Sequence, residues 1–328
     1  MSSFTIGQTT AAAGSIAGGT LVVAARHDDP GTVIPFSIVH GARSGPVLAL
    51  VAGVHAMEYA PIIALQRLRT AIDPRTLTGT ILMVHVANVP MFFGRAIYYS
   101  PKDGKNLNRV FPGRPDGTLS ERIADVITRD VIARATHVLD LHGGDGNESL
   151  RPYSYWITTG DPAVAAASRA LALAFGLDHV VVDSGRPTDP SASMYLSNTA
   201  ITRGKPAVTT EAGCLGQTDE EAIAAIERGV AGVLRHLGMR ADGPAPVAHP
   251  IWISRDAVLR AGTTGIFYPA VECGHFVVAG ALIGHITDFH GHTLEDIRAP
   301  FAGEVMYVVG TPPITAGEPV AMIGAAAS

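Results

Sequence analysis

The stretch Val47-Leu48-Ala49-Leu50-Val51-Ala52-Gly53-Val54-His55-Ala56-Met57-Glu58 decides the fold of this chain. It opens with an unbroken apolar run, as in a strand buried on both faces, and a helix-length amphipathic segment follows from Glu58. His55 ends the strand-like run, and the Glu58 carboxylate stands three residues later, so the two side chains are a suitable pair of ligands for a divalent metal. The stretch therefore predicts a strand–turn–helix unit with a metal site at the turn.

The same alternation of apolar runs and helix-length segments continues to residue 237. It predicts strands at 47–54, 80–88, 137–142, 153–158, 179–183 and 206–211, and helices at 58–72, 119–135, 162–175 and 219–237. Two of the helices open with a capping-box pattern, Thr118 with Glu121 and Thr218 with Glu221. Buried strands alternating with helices indicate an α/β fold with a largely parallel sheet flanked by helices.

The two ends of the chain lack this alternation of strand-like and helix-like segments. Residues 4–41 read as short strands between Gly-rich turns, and Gly243-Pro244-Ala245-Pro246 reads as a linker. We therefore expect a catalytic domain at 1–242, including an N-terminal β segment at 1–41, and an all-β domain at 243–328. Residues 297–305 resemble the second half of a lipoyl- or biotinyl-type β-sandwich. No lysine follows Lys205, so the resemblance implies the sandwich without the carrier chemistry.

Composition narrows the classes of function. The 328 residues are 47% hydrophobic and 16% charged, and no apolar run is long enough to span a membrane. A formal charge of −5 without a basic run argues against nucleic-acid partners. Two cysteines cannot form a disulfide framework, and the polar N-terminus lacks the pattern of a secretory signal, so we expect a cytoplasmic protein.

Two further polar residues stand at the ends of predicted strands, His142 and Glu211. In parallel sheets, ligands bind beyond the carboxyl ends of the strands, and His55, His142 and Glu211 all fall at that end. Two histidines and one glutamate around zinc leave a coordination position open for water, which is the catalytic arrangement of this metal. The pattern predicts a zinc hydrolase.

Four motifs carry a family resemblance: Gly53-Val54-His55-x-x-Glu58, Asn106-Leu107-Asn108-Arg109-x-Phe111-Pro112-Gly113, Asp140-Leu141-His142-Gly143 and Thr210-Glu211-Ala212-Gly213. Their order and context resemble those of the succinylglutamate desuccinylase/aspartoacylase family, zinc-dependent relatives of the metallocarboxypeptidases, over residues 45–240. One branch of that family also carries a C-terminal β-sandwich. The resemblance implies a zinc-carboxypeptidase-like fold and one Zn²⁺ per chain, held by His55, Glu58 and His142.

The resemblance also implies roles for other residues. Glu211 matches the general base, which takes a proton from water and delivers it to the leaving amine. Asn108 and Arg109 match the pair that binds a substrate carboxylate, and Arg95 stands near the place of the arginine that polarises the scissile carbonyl. Asn106 replaces the aspartate that often accepts a hydrogen bond from the first zinc histidine, which would make that histidine a weaker base.

The resemblance therefore implies a deacylase that hydrolyses the amide bond of an N-acyl amino acid or a related small molecule. Three alternatives stay open: a metallocarboxypeptidase that acts on peptides, an esterase, and a non-catalytic binding protein that kept the fold. Selectivity would depend on segments 143–152 and 185–194, and we expect a homo-oligomer. We interpret His85, His137 and His179 as structural residues, and the C-terminal group His275, His285, His290 and His292 as solvated or hydrogen-bonded.

Overall fold

A computed structural model of the chain describes residues 3–27 and 29–326. The strands of its first part are β1 (Phe4–Ile6), β2 (Thr9–Ala11), β3 (Ser15–Val23), β4 (Thr32–His40), β5 (Arg43–Ala52), β6 (Thr78–Val84), β7 (His137–His142), β8 (Glu148–Leu150), β9 (Tyr153–Ile157), β10 (His179–Asp183) and β11 (Ala207–Glu211). The last part of the chain adds β12 (Ile251–Arg260), β13 (Gly265–Pro269), β14 (Phe276–Val277), β15 (Leu282–Thr287), β16 (Thr293–Arg298), β17 (Gly303–Val309), β18 (Pro313–Ile314) and β19 (Pro319–Ala326).

The helices all precede residue 240 in the described part of the chain. They are α1 (Tyr59–Ala71), α2 (Val89–Gly94), α3 (Leu119–Asp130), α4 (Pro162–Phe175), α5 (Leu196–Ile201) and α6 (Glu220–His236), with short 3₁₀ turns at Leu107–Arg109, Ile132–Arg134 and Pro190–Ala192. Among the residues described, no helix has the length and apolar character needed to cross a bilayer.

The main sheet has 13 strands in the order β14-β17-β19-β12-β10-β9-β11-β7-β5-β6-β4-β3, with β8 paired to β17. Its centre is mixed: β6, β5, β7 and β11 run parallel, whereas β9 is antiparallel to β11. Helices α1, α4 and α6 pack an apolar core on one face, and α3 and α5 pack on the other. The predicted α/β class is confirmed.

The helix starts show how local sequence sets these elements. At α3 the predicted capping box forms, and the Thr118 backbone N–H donates to Glu121 Oε2 at 2.8 Å. At α6 the cap lies one residue later than predicted, because the Asp219 carboxylate accepts from the Ala222 N–H at 2.9 Å. An ionised carboxylate at that position also interacts favourably with the positive end of the helix dipole.

Strands from residue 251 onward take part in two sheets. β12, β14, β17 and β19 extend the main sheet, and β12 pairs in parallel with β10. The sheet β16-β15-β13-β18 lies outside it, and the two enclose a third apolar core that contains Phe267 and Ile283. This all-β part matches the sandwich that was expected, whereas the division of the chain at residue 242 stays a prediction. The outermost residues of both expected domains, 1–2 and 327–328, lie outside the described residues.

A buried histidine joins the catalytic half of the sheet to the C-terminal strands. His179, at the start of β10, is 1% exposed, and its Nε2 lies 3.0 Å from Oε2 of Glu304 in β17. Its Nδ1 lies 2.9 Å from Oδ1 of Asp178 and 3.0 Å from Nε of Arg151. The structural role predicted for His179 agrees with these contacts.

Replacing Glu304 with Ala is expected to destabilise the protein by about 1–3 kcal/mol, because it leaves a buried imidazole nitrogen without its partner. The measurement is the free energy of unfolding in urea. Glu272→Ala is the matched control, since the Glu272 side chain is 83% exposed. Equal stability of the two variants would contradict a stabilising role for the His179–Glu304 contact.

Candidate metal centre and active-site cavity

Three neighbouring strand ends bring the predicted site residues together. β5, β7 and β11 are adjacent and parallel, and His142 and Glu211, the last residues of β7 and β11, are paired in register. His55 follows β5 after a turn at Gly53, which has φ +70°. A side chain at Gly53 would be strained there and would also come 3.0 Å from the Cα of Val86.

His55, Glu58 and His142 form a cluster that could hold a metal ion. One donor atom from each residue lies within 4.8 Å of the others. Nδ1 of His55 lies 3.0 Å from Oε1 of Glu58, and Nδ1 of His142 lies 2.8 Å from Oε2. Within the described residues this is the one group of three or more such side chains that meets this distance.

The hydrogen bonds of the two Nε2 atoms indicate whether the cluster could hold a cation. Nε2 of His55 lies 3.0 Å from Oδ1 of Asn106, which also accepts from the Asn108 N–H at 2.9 Å, so this nitrogen is a donor. Nε2 of His142 lies 3.0 Å from the Asp140 carboxylate and is a donor as well. Each neutral ring then directs the lone pair of Nδ1 toward the Glu58 carboxylate. Two Nδ1 atoms and a carboxylate that converge in this way are a donor set that could hold a cation between them.

The charges around the cluster agree with this reading. Burial opposes a positive His142, but the Asp140 and Glu58 carboxylates raise the pKa of His142 well above its usual value. Burial likewise opposes a negative Glu58, but the two imidazoles lower the pKa of that carboxyl. The cluster therefore stabilises positive charge at the place where the two Nδ1 atoms and the carboxylate meet.

A cavity of about 580 Å³ opens beside the cluster and is lined by His55, Glu58 and Glu211. Burial is the main cause that raises the pKa of the Glu211 carboxyl well above its usual range. Residues of the C-terminal strands line the same cavity, among them Arg260 of β12 and Tyr307 of β17. The C-terminal part of the chain thus forms part of the cavity wall.

Of the other predicted site residues, two lie at the site and one lies away from it. Arg109 lines the cavity, and its guanidinium lies 4.7 Å from the ring centroid of Tyr195. Asn108 is buried, and its Nδ2 lies 3.4 Å from Nε2 of His142. Arg95 is exposed at the end of α2, and it is not among the described residues that line the cavity. The structure does not bring Arg95 together with the others.

The comparison with known families decides how this site is classified. The catalytic-domain model of succinylglutamate desuccinylase/aspartoacylase matches residues 44–237. The chain belongs to this family. The match covers all three residues of the metal cluster as well as Glu211, and it confirms the family resemblance of the four motifs.

Several members of the family are similar over most of their length. The N-alpha-acetyl-L-2,4-diaminobutyric acid deacetylase of Halomonas elongata is 33% identical over 263 residues, which cover 78% of this chain and 74% of the relative. A product-bound structure of the ectoine utilization protein EutE (DoeB) from Ruegeria pomeroyi is 29% identical, with a TM-score of 0.82 and 94% of each chain covered. A succinylglutamate desuccinylase structure from a Silicibacter species is 25% identical, with a TM-score of 0.83 and 95% of each chain covered.

Sequence reasoning gave no role to Asp140, although it stands in one of the four motifs, and it did not single out Tyr98 or Glu148. Asp140 is fully buried and contacts the second imidazole, and the two-residue repeat of a strand places Asp140 and His142 on one face. Tyr98 and Glu148 both line the cavity, and the Tyr98 hydroxyl donates to Glu148 Oε1 at 2.6 Å. Burial raises the pKa of Glu148 to about 7; Tyr98 opposes this shift, and the Glu58 charge adds to it. No local pattern marks Glu148.

A further missed residue, Arg186, lies in a cavity of about 100 Å³ that shares His55, Arg109 and Glu211 with the larger one. Its guanidinium lies 3.7 Å from the ring centroid of Tyr195, the ring that Arg109 also contacts, and it forms an ion pair with Asp183. Two guanidinium groups therefore flank one ring close to the metal cluster. Arg186 belongs to segment 185–194, one of the two that were expected to set selectivity.

The remaining histidines lie apart from this centre. Nε2 of His85 lies 2.9 Å from the Ser37 hydroxyl, and Nδ1 of His137 lies 2.9 Å from Thr136 Oγ1. In the C-terminal group, His285 stacks on Tyr268, and His292 pairs with Asp288 at 3.0 Å. The contacts of His85 and His137 agree with the structural interpretation, and that of His292 agrees with the hydrogen-bonded one.

Proposed function

We propose that this protein is a zinc-dependent amidohydrolase that removes the acyl group from an N-acylated amino acid or a similar small molecule. The observation that carries the proposal is the convergence of Nδ1 of His55, Nδ1 of His142 and the Glu58 carboxylate beside a cavity that also contains Glu211. The deacylase activity in the name of the Halomonas relative supports the same reaction class.

The residues have distinct roles in the proposed reaction. Zinc held by His55, Glu58 and His142 would supply Lewis acidity, which polarises the scissile carbonyl and makes water a better nucleophile at neutral pH. Glu211 takes the proton from the attacking water and then delivers it to the nitrogen of the leaving amine. Asn106 and Asp140 hold the two imidazoles in the tautomer that leaves Nδ1 free.

A carboxylate on the substrate would be bound on the Arg109 side of the cavity. Arg109 faces the cavity without a carboxylate partner among the described residues, and a guanidinium binds a carboxylate through two parallel hydrogen bonds. Asn108 is close to Arg109 in the chain, but it contacts His142 and the Leu196 N–H, so its part in carboxylate binding stays a prediction. The oxyanion role of Arg95 also stays a prediction, and its exposed position offers it no support.

The size and walls of the cavity favour a small molecule over a long peptide. Arg260, Tyr307 and Pro319, all from the C-terminal strands, line the cavity and form part of its wall. A volume of about 580 Å³ is in the range of small-ligand sites. Ester substrates would fit equally well, because the same groups serve C–O and C–N cleavage.

Metal removal tests the proposal. We expect zinc-loaded protein to release free amino acid from at least one member of a panel of N-acetyl and N-succinyl amino acids. Treatment with a chelator should abolish release, and added zinc should restore it. Without the metal, only the contribution of the general base would remain, which is roughly 10²–10⁴-fold of the rate. Preferred cleavage of unblocked peptides would indicate the carboxypeptidase, and no hydrolysis by folded, zinc-loaded protein would favour the binding protein.

Two wider expectations remain proposals. Cys214 and Cys273 are both free thiols, which is compatible with a reducing cytoplasm. Assembly into a homo-oligomer would be tested by light scattering of the purified protein.

A further inference from the structure

The ring of Tyr195 lies against two guanidinium groups beside the metal cluster. The Arg186 guanidinium lies 3.7 Å from the ring centroid, and that of Arg109 lies 4.7 Å from it. All three residues line the cavity of about 100 Å³ that also contains His55 and Glu211. A cation within about 6 Å of a ring centroid is attracted to the face of the ring, so the contacts of Tyr195 with both guanidinium groups are favourable.

The two guanidinium groups differ in their charge partners. Arg186 is partly buried and forms an ion pair with Asp183, the last residue of β10. Arg109 has no carboxylate partner among the described residues, and its Nη1 donates to the carbonyl oxygen of Asn108 at 2.8 Å. Arg186 is therefore fixed by the end of a strand, whereas the charge of Arg109 is available to an anion.

The backbone next to Tyr195 is tied to the segment that carries Arg109. Met194 and Phe111 exchange two backbone hydrogen bonds, at 2.8 and 3.2 Å. Met194 has φ +66°, a left-handed conformation that is costly for a residue with a side chain and persists only where the surrounding contacts enforce it. These contacts fix the position of the Tyr195 backbone relative to Arg109.

We propose that Tyr195, anchored by Arg186, holds the Arg109 guanidinium in the orientation that binds the carboxylate of the substrate. This inference rests on the proposed function, in which Arg109 binds that carboxylate. Tyr195 and Arg186 are positioning residues, which act through Arg109 and take no part in bond cleavage. An arginine side chain that is already ordered loses less conformational entropy when it binds a carboxylate, so its contact with the ring increases the affinity for the substrate.

The expected effect is on substrate binding and not on the chemical step. The carboxylate is unchanged by the reaction, so its contact with Arg109 is equally strong in the bound substrate and in the transition state. Weakening such a contact raises KM and leaves kcat nearly unchanged. Loss of the Tyr195 ring should raise KM by roughly 2–30-fold, which is the range for one contact between a cation and an aromatic ring.

The test compares an N-acyl amino acid that the protein hydrolyses with the derivative whose amino-acid carboxylate is replaced by a neutral carboxamide. Tyr195→Leu should raise KM for the carboxylate substrate alone, with kcat and zinc content at the wild-type values. Tyr195→Phe retains the ring and should restore the wild-type KM. Arg186→Gln removes the anchor and should raise the same KM in the same selective way, and it supplies the comparison if Tyr195→Leu does not fold.

A double variant shows whether Tyr195 acts through Arg109. Arg109→Gln should raise KM for the carboxylate substrate. Tyr195→Leu added to Arg109→Gln should have no further effect, because the group that the ring positions is then absent. Tyr268→Leu is the matched control, since the Tyr268 side chain is 45% exposed in β13 and is not among the described residues that line the cavity.

The possible outcomes separate the positioning role from the proposed function. Wild-type KM values in folded Tyr195→Leu, equal changes of KM for both substrates, no rescue by Tyr195→Phe, or additive effects in the double variant would overturn the positioning role and leave the deacylase standing. A normal KM in Arg109→Gln would overturn it as well, since Arg109 would then not bind the carboxylate. Hydrolysis of no member of the substrate panel by folded, zinc-loaded wild type would overturn the proposed function and the inference with it.

Discussion

Replacing Glu211 with Gln is expected to lower kcat by roughly 10²–10⁴-fold, which is the contribution of a positioned general base. The amide has almost the same size as the carboxylate but cannot accept the proton of the attacking water. Glu211 stands at the end of β11, in register with His142, and lines both cavities. The measurement is the rate of amine release at saturating substrate.

Two further quantities show whether Glu211 acts as a base or as a structural residue. Zinc content should stay at the wild-type value, because the three proposed ligands are untouched, and KM should change little, since the proposed carboxylate contact belongs to Arg109. Glu272→Gln again controls for the loss of one carboxylate. A Glu211→Gln protein with normal kcat would remove this residue from the mechanism, and loss of zinc would place it among the ligands.

The elements that sequence analysis predicted well are those with strong local signals. The bounds of β7, β10 and α4 match the predicted ranges, because apolar runs of strand length and a regular helical period are properties of adjacent residues. His55, His142 and Glu211 follow from the same signals, since the ends of parallel strands meet at one edge. The residues of the metal cluster could therefore be predicted from the sequence.

The parts that sequence analysis missed depend on contacts between distant residues. Glu148 lies on a strand of three residues whose partner, β17, begins at Gly303. Nothing in residues 143–152 reveals that pairing, so the analysis could name the segment but not the residue. Arg95 shows the opposite case. Its place was inferred from family order on a long loop, and the structure leaves the side chain exposed.

Replacing Glu58 with Ala is expected to abolish stable zinc binding. Glu58 supplies the one carboxylate of the cluster, and both of its oxygens lie within 3.0 Å of an Nδ1 atom. Removal of a residue that forms a hydrogen bond with a metal ligand typically lowers the metal affinity by roughly 10–100-fold. Loss of the ligand itself should lower the affinity further. Zinc per chain is measured by elemental analysis after dialysis against buffers that fix the concentration of free zinc. It should fall in the order wild type, Asn106→Ala, Glu58→Ala.

His290→Ala is the control that locates the metal, because His290 belongs to the exposed C-terminal group and its N–H donates to Asp288. That variant should keep about one zinc per chain, as expected for a catalytic site of this kind. The Glu58 side chain also accepts from the Gly143 N–H at 3.2 Å, so circular dichroism must show that Glu58→Ala is folded before its metal content is interpreted. A folded Glu58→Ala protein that retains zinc while His290→Ala loses it would place the ion in the C-terminal strands. The proposed hydrolytic mechanism would then fail, because no metal would lie beside Glu211 to polarise the scissile carbonyl and the water from which Glu211 takes a proton.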